Sequence, residues 1–198
     1  MTWVKLCGMT RDDDVGLAAE IGADAVGFVI APDSPRCIDS ATAARLGELF
    51  SGSRYLVTVD LDPQALLVQA ESAGVTGVQP HGRHSVDAAR AARAAGLDVL
   101  FPVPVGDSLD LGLVPVGSTP ILDTAVAGHH GGVGRRFDWS LAAGVDTDFV
   151  VAGGLDPDNV GDALTISGAW GVDVASGVEK EPGVKDPEAM RRFVEAVR

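Results

Sequence analysis

Trp3-Val4-Lys5-Leu6-Cys7-Gly8-Met9-Thr10-Arg11 is the stretch from which the fold reads out. An apolar run ends in a thiol, Gly8 permits a sharp turn, and Thr10 stands where a helix N-cap would sit ahead of Asp12, Asp13 and Asp14. This is a strand feeding a helix, with Cys7 at the strand's C-terminal edge. In a parallel sheet with helical crossovers, that edge is where ligands bind and chemistry is done. Taken alone, Cys7 reads first as a small buried thiol packing a core, since free cysteine is among the most buried residue types. The rest of the chain has to decide.

Moving outward, the same unit recurs. Residues 14–21 have helical period, with Val15, Leu17, Ala18 and Ile21 on one stripe. Ala25-Val26-Gly27-Phe28-Val29-Ile30 reads as a second strand, buried on both faces. Prolines make 31–36 a loop, and Ser40 is expected to cap a helix over 41–50. Further strands are expected at 54–60, 77–79, 98–103, 120–122, 149–152 and 171–174, with Pro80-His81-Gly82 breaking the fourth. Helices are expected at 63–73, 85–95, 158–166 and 187–197, the last capped by Asp186, and a short one opens at Phe137-Asp138-Trp139-Ser140. The segment 104–119 holds Gly106, Gly112, Pro115 and Gly117, so the fifth helix is expected to be short or replaced by a loop. Eight strands alternating with helices predict an α/β protein of one domain, residues 1–198, folded as a compact (β/α)8 TIM barrel. A doubly wound open sheet is the alternative, but no GxGxxG turn follows the first strand.

With 15 Lys and Arg against 28 Asp and Glu, the chain carries a net charge of -13, which argues against nucleic acid or an anionic membrane as a partner. A small anionic substrate stays open if local cations and backbone N–H groups hold it. The two cysteines, Cys7 and Cys37, form no CxxC or Cys/His cluster, so no metal site is expected. The first residues go straight into a strand without a signal-peptide pattern, and a cytoplasmic location is the expectation. Whether the chain is a monomer or a homodimer is left open.

Gly153-Gly154 after the seventh strand and Ala175-Ser176-Gly177 after the eighth occupy the two loops that, in many such barrels, turn backbone N–H groups toward a phosphate. Glycines make turns everywhere, but both loops match. No GxxxxGK[ST] motif points to a nucleoside triphosphate. Cys7 and Asp123 end the first and sixth strands, well apart around an eight-stranded ring, as a general base and a general acid acting on one molecule would require. A thiol with an ordinary pKa of about 8.5 would need lowering by a helix N-terminus or a cation to act near neutrality. Asp123 also reads as a loop carboxylate or a cap. Arg36, in the loop after the second strand, could meet a carboxylate with a bidentate fork or be a surface arginine. Gln79 and His81 could line a site, although His81 also suits a turn, and His129 and His130 read as loop tip. Asp173, inside the eighth strand, belongs either to the site or to a buried polar pair. Cys37 receives no role.

Together these residues resemble the phosphoribosylanthranilate isomerase family of tryptophan biosynthesis along nearly the whole chain. Val4-Lys5-Leu6-Cys7-Gly8-Met9-Thr10-Arg11 is similar to that family's KxCGxT signature, and Ala25 to Ile30 with Ala31-Pro32-Asp33-Ser34-Pro35-Arg36 to its GFVF-AxxSPR segment. Val78-Gln79 with His81-Gly82, Leu122-Asp123, Gly131-Gly132-Val133-Gly134 with Phe137-Asp138-Trp139, and Ala152-Gly153-Gly154-Leu155 continue the match. It closes with Val172-Asp173-Val174, Ser176-Gly177-Val178-Glu179 and Pro182-Gly183 with Lys185-Asp186.

The resemblance implies an Amadori rearrangement of N-(5'-phosphoribosyl)anthranilate to 1-(o-carboxyphenylamino)-1-deoxyribulose 5-phosphate, without metal or cofactor. Carried over by position, Cys7 would be the general base at C2' and Asp123 the general acid that opens the furanose ring. Arg36 would hold the anthranilate carboxylate, and the loops at Gly153-Gly154 and Ser176-Gly177 the phosphate. The chain departs from the family pattern at Pro80, at Thr58-Val59-Asp60, at Arg83 and at Ala175, where a serine is frequent. None of these touches the acid or the base. Two other readings compete: the related aminoimidazole-carboxamide ribonucleotide isomerase of histidine synthesis, which typically has Asp at the position of Cys7, and a phosphosugar-binding barrel without catalysis.

Overall fold

The structure, a computed structural model, describes residues 1–124 and 136–198. Strands β1 (Trp3–Cys7), β2 (Ala25–Ile30), β3 (Ser53–Val59), β4 (Gly77–His81), β5 (Asp98–Val105), β6 (Thr119–Thr124), β7 (Val150–Val151) and β8 (Gly171–Val174) pair in that order into a closed barrel. All the barrel pairings are parallel, and closure comes from β1 against β8, with Lys5 opposite Asp173 and Leu6 opposite Val174. Helices α1 (Asp12–Glu20), α2 (Ser40–Gly47), α3 (Pro63–Ser72) and α4 (Ser85–Ala94) make the first four crossovers. The fifth, between β5 and β6, is a loop, as its glycines and prolines predict. Trp139–Ala142 is a single 3-10 turn, α5 (Val160–Ser167) precedes β8, and α6 (Pro187–Glu195) packs last. Among the described residues, no helix is long and apolar enough to cross a membrane.

Period-two alternation along each strand sorts the core. Val4, Leu6, Val26, Phe28, Leu56 and Leu122 pack outward with helix residues such as Val15, Leu46, Leu66 and Phe193. Ala25, Tyr55, Leu100, Ile121 and Val150 point inward and fill the N-terminal half of the barrel, with Trp3 against them. Cys7, Val29, Ala31 and Val57 form a small apolar group toward the opposite end. Lys5, Gln79 and Asp173 are buried as well, so the interior has a polar layer.

Local details differ from the sequence reading in four places. Thr10 does not cap α1: Arg11 takes the N-cap position without a side-chain bond, and the Thr10 hydroxyl donates to the Gly183 carbonyl instead. Asp39 rather than Ser40 caps α2, its carboxylate accepting from Thr42 N at 2.7 Å. Pro80 does not break β4. The strand stays paired with β3 through Val59 opposite His81, while its pairing with β5 has already ended at Val78 opposite Val99. The missing N–H therefore falls where that ladder has stopped. Finally, a two-stranded antiparallel hairpin, β9 (Glu179–Glu181) with β10 (Val184–Lys185), follows β8 where no element was expected.

Candidate active site

The polar layer starts with Lys5, whose period-two position on β1 puts it on the same inward face as Cys7. Its ammonium donates to Asp173 Oδ1 at 2.8 Å and to Gln79 Oε1 at 2.9 Å. Gln79 Nε2 lies 3.2 Å from His81 Nε2, two residues along β4. Burial alone would depress the Lys5 ammonium, yet Asp173 and Cys7 together hold it above its ordinary value. Asp173 is thus both of the things it could have been: half of a buried pair and part of the lining of a recess at the C-terminal mouth.

That recess is lined by Asp123, Ala152 to Leu155 and Asp173 to Gly177, so the predicted acid and both predicted anion loops share one concavity. Gly153 has φ +81°, and a Cβ there would stand 2.6 Å from Asp123 Oδ1. Glycine lets the loop backbone lie directly against the carboxyl. The N–H groups of Gly153, Gly154, Ser176 and Gly177 donate to no partner among the described residues. Burial, then the negative charge of Asp173, push Asp123 up to about 6, against the pull of its hydrogen bond from Thr124 N at 2.7 Å.

Cys7 is buried at the end of β1. Burial pushes its thiol above the ordinary range, although the Lys5 and Lys185 ammonium groups pull the other way. The cations that sequence reasoning asked for are present, but burial outweighs them.

Arg36 also differs from expectation. Its fork is already closed on a carboxylate of the protein itself: Nε and Nη2 donate to Glu179 Oε1 and Oε2 at 2.8 and 2.7 Å. Gly8 makes this possible, since at φ +75° a Cβ would stand 2.4 Å from Arg36 Cδ. Lys185 supports the arrangement from beneath, donating to Cys7 O at 2.6 Å, Ala175 O at 2.9 Å and Glu179 Oε1 at 2.9 Å. Glu179 is half-buried, which works to raise its pKa, but these two cations hold it below the ordinary carboxylate value.

Sequence reasoning brought Cys7, Asp123, Asp173, Gln79, His81 and the two loops to one end of the barrel. It assigned no role to Lys5, Glu179 or Lys185. A signal for Lys5 was available: a lone charge in a strand buried on both faces, two residues before Cys7. For Glu179 and Lys185 there was none in periodicity, because they belong to the unforeseen hairpin. Cys37 is exposed in its loop, while His129, His130 and Gly131 to Gly134 lie outside the described residues. Among the described residues, no three His, Cys, Asp or Glu side chains gather as a metal ion would need.

Residues 4–196 match the family model described as N-(5'-phosphoribosyl)anthranilate (PRA) isomerase. The chain belongs to this family. A protein of Rhodopseudomonas palustris (strain BisB18) named N-(5'-phosphoribosyl)anthranilate isomerase is 40% identical over 209 residues, covering 98% of this chain and 95% of that protein. The phosphoribosyl anthranilate isomerase of Thermus thermophilus superimposes with a TM-score of 0.88 at 30% identity, over 98% of each chain. A second solved isomerase superimposes with a TM-score of 0.83 at 32% identity over 99% of this chain and 98% of its own; it is in complex with reduced 1-(o-carboxyphenylamino)-1-deoxyribulose 5-phosphate. Membership makes the chain an isomerase of tryptophan biosynthesis, as the resemblance implied, and the barrel is the one the strand count predicted.

Proposed function

We propose that this isomerase converts N-(5'-phosphoribosyl)anthranilate by acid-base catalysis between Asp123 and Cys7. The observation that carries the reading is the shared recess: Asp123 lines the same concavity as the N–H groups of both anion loops, which have no partner among the described residues. The phosphate accepts from Gly153, Gly154, Ser176 and Gly177, with Ala175 supplying backbone but no hydroxyl. Phosphate at that end places the furanose over the barrel mouth, between β1 and β6. Asp123, with a value near 6, keeps its proton closer to neutrality than an ordinary carboxyl does. It protonates the ring oxygen as the bond from that oxygen to C1' breaks, and the nitrogen lone pair forms the Schiff base. The Cys7 thiolate then takes the C2' proton, the electron pair moves between C1' and C2', and the resulting enolamine tautomerises to the ketone. Lys5 stays charged throughout and offsets the negative charge of the thiolate and of Asp173. Gln79 and His81 line the interior as a hydrogen-bonded pair, and Arg36 offers the anthranilate carboxylate its remaining nitrogen, Nη1.

The test is the decay of anthranilate fluorescence when phosphoribosylanthranilate, generated in situ, meets the protein. Removing a positioned acid or base typically lowers the rate by about 10²–10⁴-fold, and Cys7→Ala is expected to fall by at least that much. Decay that survives Cys7→Ala would refute the choice of base. A folded, unmutated protein that leaves the fluorescence unchanged would point to the binding-module reading.

A further inference from the structure

Behind Cys7 lies an ionic row that neither proton transfer uses. Arg36, Glu179 and Lys185 alternate plus, minus, plus, with side-chain exposures of 13%, 5% and 0%. All three ammonium protons of Lys185 are engaged, on Cys7 O, Ala175 O and Glu179 Oε1. Both Glu179 oxygens accept from the Arg36 fork. The stem of Arg36 rests on Gly8. Its guanidinium is therefore fixed on two sides, and only Nη1 has no partner among the described residues. The row has a net charge of plus one at the mouth, in a chain whose total is -13.

We propose that Glu179 is a positioning residue for the substrate's carboxylate. It holds Arg36 so that a single nitrogen faces the ligand, while Lys185 ties Glu179 to the backbone of Cys7. The carboxylate hold and the base then keep one fixed separation. This rests on the reading that Arg36 meets the anthranilate carboxylate.

Steady-state kinetics of Glu179→Gln, Glu179→Asp, Arg36→Ala and the double variant Arg36→Ala/Glu179→Gln test it. Loss of the fork should raise KM about tenfold in either Glu179 variant while kcat falls less than about threefold, since the binding contact is loosened and the proton-transfer groups are kept. In the Arg36→Ala background, adding Glu179→Gln should change KM by less than about twofold, because the residue acts only through Arg36. An unchanged KM in Glu179→Gln, or KM effects that multiply in the double variant, would overturn the proposal while leaving Arg36 in its role. An unchanged KM in Arg36→Ala would remove the reading of Arg36 itself, and the proposal with it. Should Glu179→Gln fail to fold by circular dichroism, Glu179→Asp, which keeps the charge but loses reach, carries the same comparison.

Discussion

Asp123 is pushed up to about 6 by burial and by Asp173, and Cys7 is pushed above the ordinary thiol range by burial. The proposed chemistry needs the carboxyl protonated and the thiol ionised, so the acid has the lower pKa of the two. Below pH 6 the acid is protonated and the ionised fraction of the base grows with pH, so kcat/KM rises. Between the two values the loss of protonated acid offsets the gain of thiolate, and the profile is flat. Above the thiol's value only the loss remains, and kcat/KM falls. A pH series of kcat/KM should therefore show a rising limb near 6, a plateau, and a falling limb above the usual thiol range; a single rising limb above that range, with no limb near 6, would mean that Asp123 does not act as an acid. The positions of these two residues were legible from the sequence because each closes an apolar run before a turn. Their ionisation was not, because it depends on neighbours 166 residues apart along the chain, such as Cys7 beside Asp173.

The elements place those neighbours. Period-two alternation puts Lys5 and Cys7 on one face of β1, and the register of β1 with β8 puts Asp173 opposite Lys5. Removing one member of a buried ion pair leaves the other without a counter-charge, at a typical cost of about 3–5 kcal/mol. Lys5→Met is expected to lose that much stability in urea unfolding, and Lys5→Met combined with Asp173→Leu to lose less, since replacing both partners removes the orphaned charge. Equal losses in the two variants would show that the ammonium matters for packing alone. At this scale the alternation of strand and helix was readable throughout, because Val- and Ile-rich runs and Ala-rich helical stripes have different periods. Thr10 and Ser40 have the side chains of caps but do not cap. The Thr10 hydroxyl is taken by Gly183, 173 residues away, and Asp39 stands one residue nearer the turn than Ser40. The β9–β10 hairpin escaped notice because strands of three and two residues are too short to show a period.

The whole molecule is closed by the last strand of the barrel. β8 fills the gap between β7 and β1, and Lys185, a few residues later, donates to the carbonyl of Cys7, the residue on which the proposed chemistry turns. During synthesis, β1 therefore waits with an open edge until β8 has emerged. Parallel pairing of this kind is slow, and open edges recruit other chains. A chain stopped at residue 170 would leave one edge of β1 and one edge of β7 open and lack both the second anion loop and Lys185, so it should scatter light at micromolar concentration and show no turnover; a soluble, active fragment would mean that closure is dispensable. The bond from Lys185 to Cys7 thus works as a clasp: the first strand and the hairpin that follows β8 meet at one carbonyl, so the setting of the proposed base is assembled from segments 178 residues apart.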